Sequence, residues 1–399
     1  MPTVVVVRLP SKPFDEEVIH AVEKGLNLLD FEPNYETVLI KPNLCSEKIA
    51  MITDRRIIYA LARYFKNRNC NIIIGENPVI NTPSKKLFSS PEIEMLRRKT
   101  GVEVVNLRFK KFKKVKVLNP ILFREIELSE YAVTADAIIN VPIMRRHALA
   151  GLTLGIKNLF GLVSLRQRYF MHSEGLYKGL IDIAKVLRDK LKLTVIDGIK
   201  ATIDGGLIPI GMIVMGRDIV ATDTIVSYLL GWDPQELELL KYAQEEGIGI
   251  SNLDQIEVIG ITWSEIEALR KGLRKWFRPP MRSIEELVRE LGKIEVVLGE
   301  ACPSCIRSLS VVLSAFSPKD FENSPELAIL VGPKAEPVKN KLNIVIGNCL
   351  KKYRECGIFV GCCPVYTHDI RVALEYAIGK VKKPIYLWDS LKKFIHSPI

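Results

Sequence analysis

Strand-like and helix-like segments take turns from the first residues of this chain, and that order leaves few folds open. An apolar run from Thr3 to Arg8 precedes a helical pattern from Asp15 to Leu29, a second run from Thr37 to Ile40 precedes a helix from Asp54 to Phe65, and a third run spans Asn71 to Ile74. Strand, helix, strand, helix, strand predicts a parallel sheet covered by helices. Two of the strands end in turn-forming polar residues, Lys41-Pro42-Asn43 and Gly75-Glu76-Asn77-Pro78. In open parallel sheets ligands bind at such carboxyl ends.

The alternation continues through helix Pro91 to Lys99, strand Val102 to Leu107, an irregular basic stretch and the apolar run Ala137 to Val141. Helices Ala150 to Leu162 and Leu176 to Leu191 follow, then strand Leu193 to Ile196, a loop Asp197 to Gly211, strand Met212 to Gly216, helix Ala221 to Leu230 and strand Ile256 to Ile259. The fold class is therefore α/β, with residues 1–262 forming a large domain built on a mostly parallel sheet. Residues 263–294 read as a charged helical linker broken at Pro279-Pro280. Residues 295–399 read as a smaller α/β domain, with strands Glu295 to Leu298, Leu327 to Val331, Leu342 to Ile346 and Pro384 to Leu387 and helices Cys305 to Ala315 and Asp369 to Ile378.

At 48% hydrophobic and 26% charged residues the composition is that of an ordinary globular protein and excludes disorder and fibrous repeats. No apolar run reaches the roughly 18 residues that cross a bilayer, and Met1-Pro2-Thr3 does not open a signal peptide, so the expectation is a cytoplasmic protein without a membrane partner. The net charge of +11 is carried by short runs such as Lys110-Lys111-Phe112-Lys113-Lys114 and Arg270-Lys271 through Arg274-Lys275 to Arg278. Such runs attract anions from phosphometabolites to RNA, and each alone reads equally as a solvated face. Four glutamines beside abundant Ile, Lys and Glu give a thermophile-like composition.

Six of the eight cysteines fall between residues 302 and 363, a clustering that favours a metal over disulfides in a reducing compartment. Cys302-Pro303-Ser304-Cys305 puts two thiols on a turn opening a helix, where the helix N-terminus favours the thiolate. Cys349 follows a strand, and Cys356 and Gly361-Cys362-Cys363-Pro364 come after it. Four thiolates suit a [4Fe-4S] cluster or tetrahedral zinc. The second half has no knuckle spacing, which favours iron-sulfur, with zinc, a redox dithiol or buried cysteines as the alternatives. Cys45 and Cys70 sit in apolar surroundings and read as packing residues.

A second constellation runs from His147 to Gly161 and on to His172. Lys157 and Asn158 interrupt an otherwise apolar stretch, so an ammonium is held near a core, where it needs an anion or a shifted pKa. The plainer alternatives are a lysine that snorkels to water and two structural histidines. Asp197, Asp204, Asp218 and Asp223 lie at strand ends or in loops, and helix capping accounts equally for Asp218 and Asp223. Walker, GxGxxG, HExxH and GxSxG signatures are absent.

Lys41-Pro42-Asn43, the stretch from Pro142 through His147 to Lys157-Asn158-Leu159-Phe160-Gly161, His172, Val195-Ile196-Asp197, and Asp218 to Asp223 with Leu230-Gly231 form an ordered set that resembles the domain-of-unknown-function 362 family over about residues 36–260. The resemblance implies an archaeal or anaerobe protein associated with iron-sulfur chemistry. Many relatives carry a ferredoxin-like CxxCxxCxxxCP segment, whereas here the cysteines stand in a separate α/β domain. The related pattern Gly-Cys-Pro-Pro favours Cys362 over Cys363, giving Cys302, Cys305, Cys349 and Cys362 as the expected metal ligands.

These readings combine into an iron-sulfur enzyme acting on a small anionic metabolite, carboxylate or phosphate. Lys41, Asn43 and Asn158 are the expected substrate-binding residues and His147, Lys157, His172 and Asp197 the catalytic ones. An oxidoreductase with a redox partner is favoured over a lyase or isomerase. The alternative is an RNA- or ribosome-associated basic protein with a structural metal domain.

Overall fold

A computed structural model describes residues 1–45, 52–79, 82–147, 151–203, 206–277, 282–363 and 365–381. The chain divides into two compact units. The first holds residues 1–147, 152–168 and 177–278; Gly151 and residues 169–176 go with the second, whose main part begins at 279. Helix Trp263–Phe277 thus belongs to the first unit and helix Ile284–Leu291 to the second.

The strands of the first unit are β1 (Thr3–Arg8), β2 (Thr37–Pro42), β3 (Asn71–Glu76), β4 (Glu103–Asn106), β5 (Phe112–Lys116), β6 (Glu125–Ser129), β7 (Ala137–Val141), β8 (Ile143–His147), β9 (Gly151–Thr153), β10 (Leu191–Ile203), β11 (Gly206–Gly216) and β12 (Glu257–Ile259). Among the described residues the main sheet runs β12-β1-β11-β10-β7-β2-β3-β4, with β8 and β9 appended to β10. It is mostly parallel; only β11 is known to run against its neighbours β1 and β10. Val4 to Val7, Val38 to Ile40 and Ala137 to Val141 are buried, the continuous apolar signature of strands covered on both faces. Asp54 starts helix Arg55–Lys66 by accepting the Arg56 amide at 3.0 Å, which sets that helix over β2 and β3.

Three sequence readings are corrected. The segment read as one helix from Ala150 to Leu162 is strand β9, a single helical turn Gly155–Asn158 and a 3-10 turn Leu159–Leu162, with residues 148–150 outside the described set. Leu154 is extended (φ −132°, ψ −147°), and Asp223 takes the amides of Gly155 and Ile156 at 2.7 and 2.9 Å, starting a new turn there. The loop read from Asp197 to Gly211 is mostly strand: β10 continues to Ile203 and β11 starts at Gly206, with Ile199 and Ala201 buried. Its glycines suggested a loop, but Gly211 serves close approach, since at φ +73° an added Cβ would lie 2.7 Å from the Leu9 carbonyl. The irregular basic stretch is the antiparallel pair β5–β6, in which Phe112 and Val115 alternate with exposed lysines.

In the second unit β13 (Ile294–Leu298), β14 (Leu327–Val331), β15 (Leu342–Ile346) and β16 (Gly357–Val360) form a parallel sheet in sequential order. Helices Pro303–Leu313 and Thr367–Ala377 pack on it through Leu309, Leu313, Ile370 and Leu374. The expected strand Pro384 to Leu387 lies outside the described residues.

The 118–124 loop hangs on one carboxylate: Asp182, fully buried, accepts the amides of Ile121, Leu122 and Phe123 at 2.9, 2.7 and 2.8 Å. Asp182→Ala leaves three donors unanswered, and we expect a loss of about 3 kcal/mol with Asp182→Asn losing less. Urea denaturation checks this; equal stability of the alanine variant and wild type would contradict it.

Candidate functional site

The carboxyl ends of β2, β3 and β7 converge on a buried polar cluster. Lys41 has no solvent exposure, and its ammonium donates to Glu76 Oε2 and the Pro42 carbonyl, each at 2.7 Å, and to Asn158 Oδ1 at 3.3 Å. Asn158 Nδ2 donates in return to the Lys41 carbonyl (3.1 Å) and to Asn140 Oδ1 (2.8 Å), and Asn140 donates to the Gly155 carbonyl at 3.0 Å. These bonds tie the one-turn helix carrying Lys157 to the strand ends. Gly161 lies against the pair so closely that a Cβ would come within 2.1 Å of Glu76 Oε1 and 2.4 Å of Lys41 Cε.

Lys157 is 9% exposed, and among the described residues no carboxylate or hydrogen-bond acceptor meets its ammonium. The group sits 4.0 Å from the centre of the Phe160 ring. Burial, with the charges of Arg168 and Arg145, lowers its pKa to about 7. Arg168, 1% exposed, is held by the Asn77, Pro78 and Val163 carbonyls at 2.8 to 3.0 Å and also lies over Phe160; burial lowers it to about 9. Burial lowers Lys41 too, while Glu76 pulls it back. Two buried acceptors, Glu76 Oε1 and Asn43 Oδ1, have no partner among the described residues. The neighbourhood therefore holds an excess of cations and two unanswered acceptors.

Asp197 stands apart from Lys157. It accepts the Asp54 and Ile199 amides at 2.7 and 3.0 Å and lines a cavity of about 510 Å³ with Leu44, Thr53 and Ile143. Burial and the Asp54 charge raise it to about 7. The backbone of His147 ends β8, and its side chain lies outside the described residues. Asp218 caps helix Ile219–Leu229, and Asp204 lies outside the described residues.

His172 belongs to the second unit, where its ring meets the Tyr366 hydroxyl and its carbonyl accepts the Cys362 thiol at 2.8 Å and the Cys363 amide at 3.0 Å. Cys302 caps helix Pro303–Leu313 and shares a hydrogen bond with the Cys305 thiol. That bond, burial and the nearby charges of Cys302 and Cys363 raise the Cys305 pKa, and burial with Cys302 raises Cys349. Cys362 is pushed up to about 12 by burial and Asp369. Cys302 thus neighbours Cys305 and Cys349, Cys363 neighbours Cys305, and Cys362 turns to the His172 carbonyl. Thiols suit a soft metal or an iron-sulfur cluster, but among the described residues no three His, Cys, Asp or Glu side chains are arranged to hold a metal ion.

Sequence reading passed over Glu76, Asn140, Arg168 and Tyr366 as site residues. Glu76 carried a signal, as the charged residue ending a predicted strand; Arg168 carried none, because a charge in a polar helix reads as surface.

A lysine whose folded pKa is depressed carries fewer protons folded than unfolded between about 7 and its ordinary value, so its contribution to stability improves as pH rises through that window. Lys157→Met should raise the free energy of unfolding at pH 6 by on the order of a few kcal/mol, seen as a higher melting temperature, and the gain should shrink towards pH 10. A variant less stable than wild type at pH 6 would show that Lys157 is compensated.

The chain is 24% identical over 230 residues, 54% of its length and 69% of the other's, to the thylakoid-associated protein sll1697 of Synechocystis sp.. Among solved structures it is similar to a Thermotoga maritima protein (TM-score 0.34, 15% identity, 53% of this chain and 57% of that one, a little over half its length). It is also similar to the lactate racemase apoprotein of Thermoanaerobacterium thermosaccharolyticum (TM-score 0.37, 12% identity, 72% of this chain and 88% of that one). Among the described residues no helix is long and apolar enough to cross a membrane. Residues 38–228, which carry the Lys41, Glu76 and Lys157 cluster, match the domain of unknown function DUF362.

Proposed function

We propose that the first unit is an enzyme domain acting on a small anionic metabolite, carboxylate or phosphate, that also carries a hydrogen-bond donor. The observation that carries this reading is the buried Lys157 ammonium with no acceptor around it among the described residues. Burying such a cation alone is costly, and an anion brought beside it in a low dielectric removes much of that cost. Arg168 and Arg145 extend the positive field, while the buried Glu76 Oε1 and Asn43 Oδ1, without partners among the described residues, are acceptors for a substrate hydroxyl.

In this reading Lys41 and Asn158 orient the substrate end of the sheet, and Lys157 exchanges a proton with the bound metabolite. A pKa near 7 lets one group serve as ammonium to bind charge and as free amine to accept a proton. Gly161 keeps the backbone close against the Lys41–Glu76 pair, where a side chain would not fit.

An anion bound at Lys157 favours its charged form, so binding takes up a proton above the free pKa. Succinate affinity should be greatest below about pH 7, fall about tenfold per pH unit above it, and be lost in Lys157→Gln. Calorimetric titration of the full chain reads both. Affinity independent of pH, or retained in Lys157→Gln, sinks the reading. Loss of several decades of RNA affinity over a modest rise in salt would favour the RNA-associated alternative.

For the second unit we propose that Cys302, Cys305 and Cys349, with one thiol of the Cys362-Cys363 pair, ligate a [4Fe-4S] cluster. The thiol chemistry supports it, and the arrangement described above requires the thiols to draw together, so no step above depends on it. Protein purified without oxygen should contain about four irons and four sulfides, lost in Cys302→Ser. Zinc in their place would move the assignment to a structural metal, and neither would remove it.

A further inference from the structure

Asp197 presents the mirror image of Lys157. The carboxylate is 2% exposed, and among the described residues it meets two backbone amides and no cationic side chain at ion-pair distance. Arg56, the nearest candidate, is committed to Asp54 through bonds of 2.9 and 2.7 Å. Each Asp197 oxygen keeps a lone pair beyond the amide it accepts.

The side chain lines the 510 Å³ cavity, a volume within the range that takes a small organic molecule. Half of its lining residues are aliphatic: Ile93, Leu96 and Ile143 are buried in it and Leu207 stands 42% exposed at its side. The other charged lining residues cancel, Asp15, Asp54 and Glu92 against Arg55, Arg56 and Lys200, so Asp197 is the uncompensated charge. Aliphatic walls beside one buried carboxylate, with the remaining lining charges balanced, are complementary to an aliphatic body with one cation.

We propose that this cavity binds a small aliphatic primary amine, its ammonium hydrogen-bonded to Asp197 and its carbon body against Ile93, Leu96 and Ile143. The ammonium supplies the counter-charge that the fold withholds, with N–H donors for the free lone pairs. The site is separate from the Lys157 cluster and opposite in sign, so it goes beyond the anion-binding reading and stands without it.

The test is calorimetric titration of the full chain with 3-methylbutylamine, 3-methylbutan-1-ol and 3-methylbutanoate. The amine should bind one to one, the alcohol at least about tenfold more weakly, and the carboxylate not at all. Asp197→Asn should weaken the amine at least about tenfold and bring it level with the alcohol. Leu207→Trp, which narrows the cavity without touching the carboxylate, should also weaken it and decides the matter if the Asn variant does not fold. Lys157→Met should leave amine binding unchanged, which separates this site from the anion site. Amine and carboxylate bound alike, amine and alcohol bound alike, amine affinity that survives Leu207→Trp, or no amine binding to folded wild type would each overturn the proposal.

Discussion

A lysine with no solvent exposure at the end of β2 must be answered by a carboxylate, and Glu76 answers it at 2.7 Å from the end of the adjacent strand. Much of the first unit's architecture follows from that one ion pair. It is compatible only with the register that brings Lys41 and Glu76 to the same end of β2 and β3. It recruits Asn158, which binds both the Lys41 ammonium and its carbonyl, and so seats the short helix that carries Lys157. It leaves no room for a side chain at position 161. An ion pair this deep adds little net stability; what it supplies is geometry, since each partner is costly to bury without the other.

Around that neutral pair the fold leaves two charges unbalanced. Among the described residues Lys157 has only the Phe160 ring beneath it, and Asp197 has only backbone amides. Both stand near pH 7 for the same reason: burial penalises the ionised form, and the neighbouring charges are of like sign, Arg168 for one and Asp54 for the other. Asp223 is also near 7 but closes two amides at the start of a helical turn, which marks it as a capping group. Perturbed groups with spare bonding capacity are candidates for ligand binding, and those whose bonds are all structural are not.

The second unit shows how adjacency in sequence can mislead about adjacency in space. Cys362 and Cys363 are neighbours in the chain, yet one thiol is directed at the His172 carbonyl and the other lies near Cys305. The Arg270 run, read as an anion-attracting surface, is similarly divided, for Arg270 is spent on the Tyr228 and Trp232 carbonyls.

By itself the sequence determined what depends on periodicity and on local chemistry. The order of strands and helices in the first 80 residues, the apolar cores of β1, β2 and β7, the Cys302 helix start and the candidacy of Lys41, Lys157 and Asn158 follow from residue type and spacing. Local reasoning failed where a long-range partner overrode it: Asp223 breaks the expected helix at Gly155, and the pairing of β10 with β11 makes strand out of a glycine-bearing segment. The tertiary structure alone decided which charges are compensated. Lys41 and Lys157 are the same residue type in similar apolar settings, but Glu76 reaches one and, among the described residues, no carboxylate reaches the other. Whether a buried charge is structural or available depends on distances of a few ångströms between residues far apart in the chain, because Coulomb attraction and hydrogen bonding act on separation in space and not on position in sequence.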